Sequence, residues 1–192
     1  MRIFIAAIIL IFSLQSLTKA DDIRDFEIEG MSIGDSALDY FTEEQILNNR
    51  MSYYKNKSYT PVEIEHLSFF ESFEAIAFGF KTGDKNYKIL GLTGHIDYPN
   101  KISDCYKKQD EILEELSELF NNVAFKSEKK TYIDTIDETD DTKKVSQAFW
   151  FDSEDVVVVA CYDYSLKSGY IDNLAVSIDT KEYNDFLGIA YK

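Results

Sequence analysis

Near the start of the chain, Arg2 is followed by ten consecutive apolar residues, Ile3 to Phe12 (IFIAAIILIF). Ser13, Gln15, Ser16 and Thr18 interrupt the run, Lys19 closes it, and Ala20 stands just before Asp21-Asp22. A spanning helix needs about 20 apolar residues, so this run is short for a membrane anchor, which is the competing reading. A charged start, a short apolar stretch and small residues at Thr18 and Ala20 are the layout of a secretory signal peptide, cleaved near Ala20. The expected product is residues 21–192, one periplasmic or secreted domain with no membrane-embedded part.

Beyond the leader, periods of two and of 3.6 alternate. Asp25 to Met31 alternates like a short strand and ends at Gly30; Asp35 or Ser36 can then cap a short helix carrying Ala37, Leu38 and Phe41. Thr42-Glu43-Glu44-Gln45 has the spacing of a capping box. Strand composition follows over 62–70, 73–81 and 86–93, with Gly91 and Gly94 loosening the exit from the third. From Ile102 to Phe120, the apolar positions Ile102, Cys105, Tyr106, Ile112, Leu113, Leu116, Leu119 and Phe120 form one helical stripe opposite a charged side. Residues 126–144 read as a polar loop with one short strand. Val145 to Phe151, Val156 to Tyr164 and Ile171 to Asp179 are further strands, and Thr180 caps a closing helix over 181–187. Val156 to Tyr164 begins apolar on both faces, as a central, doubly covered strand does.

Consecutive strands joined by tight turns pair antiparallel, and a helix between two such runs gives an α+β domain. The expected architecture is two-layer: a mainly antiparallel sheet, the long amphipathic helix packed on one face, and short helices at both ends.

Composition changes what partners this fold can have. The 192 residues carry a formal charge of −15. With Arg2 and Lys19 in the leader and no acid there, the exported part holds 18 basic against 35 acidic side chains, or −17. Such a surface repels nucleic acid, whose phosphates need clustered Lys and Arg. A hydrophobic content of 45% supports a packed core and argues against disorder. No pattern calls for a cofactor, and the partners left are a protein or a small molecule.

The compartment bears on Cys105 and Cys161, the two cysteines. Cys105 lies on the helical stripe and Cys161 on the Val157/Val159 face of the central strand, so packing the helix on that face brings the thiols together. Two buried free thiols are the alternative; export favours a disulfide. The absence of a C-x-x-C pair argues against a thiol oxidoreductase.

Gly34-Asp35-Ser36-Ala37-Leu38 resembles the nucleophile block of the GDSL esterases and lipases, which implies a small hydrolase using Ser36. That family takes its base from a D-x-x-H segment near the C-terminus, whereas this chain has only His66 and His95. Without a base the hydroxyl is a poor nucleophile, and helix capping explains Ser36 as well. His95, beside Asp97 at a strand exit, is the better placed imidazole. Asp134, Asp137, Asp140 and Asp141 form an acidic stretch that could hold a divalent cation weakly, although it lacks the alternating pattern of an EF-hand. Phe149-Trp150-Phe151 and Tyr162-Asp163-Tyr164 are candidates for an aromatic platform or for cross-strand packing. Residues 25–46, with Ile28 to Ser36, and Ser177 to Tyr183 resemble secreted proteins of AT-rich marine bacteria that carry no assigned activity. The resemblance implies export and a single domain. The expected function is a non-catalytic binding or interaction module.

Overall fold

The structure, a computed structural model, describes residues 22–122, 124–134 and 141–190. The leader and its cleavage position lie outside the described residues, as do Asp137 and Asp140. Among the described residues no helix is long and apolar enough to cross a membrane.

Eight strands make one antiparallel sheet. β1 (Tyr59–Glu65), β2 (Ala75–Lys81) and β3 (Gly91–Asp97) follow one another as neighbours. β6 (Thr142–Phe151), β7 (Val156–Asp163) and β8 (Asn173–Asp179) do the same. The two runs meet where β3 pairs with β8, giving the order β1-β2-β3-β8-β7-β6-β4. β4 (Ala124–Lys126) and β5 (Lys130–Asp134) share the outer edge of β6, opposite residues 149–151 and 142–146. With α1 (Glu43–Asn48), α2 (Ile102–Leu119) and α3 (Lys181–Leu187), the class is α+β.

Local chemistry explains most boundaries. Gln45 N–H donates to Thr42 Oγ1 at 3.2 Å and Thr42 N–H to Gln45 Oε1 at 2.9 Å, the reciprocal pair that starts α1. Thr180 caps α3 by accepting from Tyr183 N–H at 3.3 Å. The strand expected over 25–31 is instead a 3-10 turn, Ile23–Asp25, and a single bridge between Ile28 and Met31. Glu29 and Gly30 take φ of 52° and 74° there, which reverses the chain before a strand can extend. The strand expected over 62–70 ends at Glu65 because His66, at φ 52°, turns away. On the outer side of β1, Met51 N–H donates to Pro61 O (2.8 Å) and Glu63 N–H to Asn49 O (3.2 Å). Proline, lacking an N–H, is tolerated on such an edge.

One face of the sheet carries Ile64, Phe78, Leu92, Val159, Cys161 and Val176 into a single buried cluster with Ile112, Leu113 and Leu116 of α2. A disulfide joins Cys105 to Cys161, with Cα atoms 6.1 Å apart. Phe120, just past α2, is ringed by Phe26, Phe149 and Phe151 at centroid distances of 5.8, 5.5 and 5.1 Å.

The opposite face is floored by small side chains: register places Ala77, Thr93, Ser177, Val158 and Ala148 in one row across five strands. α3 covers one end of that floor. The Tyr183 ring lies flat where Cβ atoms of Gly79 and Gly91 would stand, and a Gly91 Cβ would also fall 2.6 Å from Asp179 Oδ1. Gly91→Ala is therefore expected to displace Tyr183 and cost about 1–3 kcal/mol, the usual range for overpacking a close-fitted site. A lower urea midpoint at unchanged m-value is the readout; an unshifted midpoint would mean that the ring relocates without penalty.

Candidate functional site

The residues singled out from sequence are not gathered in one place. Ser36 caps a 3-10 turn, Ala37–Asp39. Its hydroxyl donates to Asn86 O at 2.7 Å and accepts from Leu38 N–H at 3.2 Å. Asp35 Oδ2 accepts from Ser32 N–H (2.9 Å) and from Tyr40 O–H (2.6 Å). His66 is exposed, 4.0 Å from Glu65. His95 lies half-buried on β3, opposite Ala175 on the small-residue face. Burial holds its imidazole below the usual histidine range, against smaller upward pulls from Asn173 and Asp97. Among the described residues no hydrogen bond joins either imidazole to Ser36. Asp134 ends β5 opposite Thr142, and Asp141 is exposed. Among the described residues no group of three or more His, Cys, Asp or Glu side chains is placed to hold a metal ion. Phe149 and Phe151 are core, while Tyr162 and Tyr164 stack at 5.8 Å.

Two clefts open on the surface. One, of about 460 Å³, runs between α1 and β1 and is lined by Asn48, Arg50 and Glu63 among others. Burial raises the Glu63 carboxyl above its usual range, with Glu65 and Asp97 adding to the effect.

The other, of about 490 Å³, lies where α2 passes the β5–β6–β7 side of the sheet. Tyr106 and Gln109 face it from α2, Lys129 and Thr131 from the edge, and Lys143, Val145 and Asp163 from the sheet. Gln109 is four residues after Cys105 and three before Ile112, so it falls on the inward side of the helix. It is completely buried, at 0% exposure. Its Nε2 donates to Val145 O at 2.7 Å and to Val159 O at 3.1 Å. Two backbone acceptors thereby fix which end of the amide is nitrogen. The other end, Oε1, is buried with no hydrogen-bond partner. Such an orphaned acceptor costs about 1–3 kcal/mol, which a donor in the cleft would recover.

The charges around this amide are also open. Lys143 and Asp163 are direct partners in the β6–β7 register. Opposite charges so placed ordinarily pair. Among the described residues neither has an ion-pair partner within 4.0 Å, whereas Lys129 pairs with Asp110. Burial raises the Tyr106 phenol, helped by Asp163 and Asp172, so at neutral pH it remains an uncharged O–H. The arrangement offers an unpaired cation, an unpaired carboxylate, a buried acceptor and a phenol around one hollow. This is the equipment of a binding site.

Reading the sequence alone passes over Gln109, Lys143 and Asp163. One signal for Gln109 is there: a polar residue at an inward position of an otherwise apolar stripe. Comparison with protein-family models, curated proteins and solved structures finds no match for this chain.

Proposed function

We propose that this chain is an exported, non-catalytic binding module of two layers, an amphipathic helix on an antiparallel sheet, and that it takes a small polar ligand in the cleft beside α2. The observation that carries the reading is Gln109: its amide is locked by Val145 O and Val159 O, and its oxygen is left buried and unpaired at the cleft. Native proteins leave few buried polar atoms unsatisfied, and those they leave call for a reason. The disulfide supports an oxidising compartment, in keeping with the leader. Ser36, the nucleophile of the alternative hydrolase reading, spends its hydroxyl on Asn86 O and Leu38 N–H.

The test is a titration of the isotopically labelled, oxidised protein with a set of small polar fragments, followed by amide NMR. Shifts are expected at Tyr106, Thr131, Val145, Asp163 and the side-chain NH2 of Gln109. A fragment set that moves none of these resonances would sink the reading.

A further inference from the structure

Resting on that reading, we infer the class of ligand: a small zwitterion, a free amino acid with its ammonium and carboxylate both exposed to the cleft. The argument starts from the two charges. Lys143 and Asp163 stand opposite one another on β6 and β7, both on the α2 side of the sheet, and neither is neutralised by an ion pair among the described residues. A cleft built for an anion would hold the lysine without the carboxylate, and one built for a cation the reverse. A ligand carrying both signs satisfies each without leaving a charge unpaired.

Gln109 adds direction. Its unpaired Oε1 accepts and cannot donate, so the ligand group that reaches it carries N–H or O–H. The ammonium, shared between Gln109 Oε1 and Asp163, meets both demands, which places the ligand carboxylate toward Lys143. Tyr106 and Val145 supply apolar surface for a side chain. The long-range field agrees with a neutral ligand: at a formal charge of −15 the protein repels anions approaching from solution, and a zwitterion is indifferent to that field. The hollow of about 490 Å³ is within the range usual for small-molecule sites.

The experiment uses the oxidised protein with the 20 common L-amino acids, each that binds being retested as its N-acetyl derivative and as its amide. Binding is read by calorimetry, and the site by the NMR resonances named above. At least one free amino acid is expected to bind in the cleft and to lose about ten-fold or more in affinity when either end is capped, the size expected for a charge-assisted contact. Asp163→Asn should abolish the discrimination against the N-acetyl form, and Lys143→Met the discrimination against the amide; both sites are at the cleft mouth, and circular dichroism checks their folding. Capped forms that bind as tightly as the free amino acid overturn the zwitterion and leave the binding module standing. The same division follows if polar fragments shift the cleft while no amino acid does. If neither class of probe binds, Gln109 Oε1 is satisfied by water alone and both readings fall.

Discussion

Replacing Cys105 and Cys161 by serine together is expected to lower the unfolding free energy by about 4 kcal/mol, the chain-entropy value for a loop of this length. The bond spans 56 positions of sequence. Small domains have only about 5–15 kcal/mol in all, so the loss is a large fraction of the total. Ile112, Leu113 and Leu116 still hold the later turns of α2 on the sheet, and the variant should remain folded at low temperature. The first turns of the helix depend more on the bond, since Cys105 stands one turn before Gln109. The side-chain amide protons of Gln109, both engaged by backbone carbonyls, should lose exchange protection earlier than the centre of the sheet. Urea unfolding of the double variant, set beside the reduced wild type, measures the effect. A difference below about 1 kcal/mol would show that the denatured chain is already compact across this loop.

The second large effect follows pH. Asp179 ends β8 fully enclosed, 5% exposed, and burial pushes its carboxyl from 3.8 up to about 7, with Lys144 pulling weakly the other way. Below about pH 4 the carboxyl is protonated in both states and the associated stability is fully present. Between there and about pH 7 the folded protein keeps the proton that the unfolded chain has released, so stability falls as pH rises. The slope is about 1.4 kcal/mol per pH unit at most, and the loss by pH 8 is on the order of 3–4 kcal/mol. Asp179→Asn removes this contribution: near-equality with wild type is expected at pH 4, and a growing advantage toward pH 8. Glu63 and Asp172 are also raised by burial and contribute with the same sign, but they are common to both proteins and cancel in the difference. Parallel pH profiles of the two proteins would show that Asp179 is ionised within the fold.

These two results rest on features of unequal visibility in the sequence. The cysteine pairing was legible because two periodicities could be combined: Cys105 on a 3.6-residue stripe and Cys161 on one face of a two-residue alternation. α2, α3 and β7 were legible for the same reason, each having an apolar pattern sharp enough to fix its ends within a residue or two. β3 was not. The expected strand over 86–93 lies several residues before the observed Gly91–Asp97, because Gly91 and Gly94 read as a loosened exit. In the folded chain the Tyr183 and Phe73 rings lie over these glycines, where any side chain would collide with them. A local pattern cannot distinguish a glycine that bends the chain from one that makes room for a distant ring. The cleft was hidden by the same limit: Lys143 and Asp163 become neighbours only through strand register, and the orphaned oxygen of Gln109 becomes visible only once its nitrogen has found its partners.

The central seam between β3 and β8 governs how this chain must fold. Thr93 bonds to Ser177, 84 positions away, whereas β1 with β2 and β6 with β7 close over short turns. Local hairpins can form as each half of the chain emerges, but the sheet has no continuous middle until its last strand arrives. Topologies dominated by distant pairings fold in roughly milliseconds to seconds, far slower than helical bundles of similar size. Until then the apolar inner faces of both halves and the edges of β3 and β8 are uncovered together. The C-terminal strand is thus the piece whose late arrival ends the period of greatest exposure to aggregation.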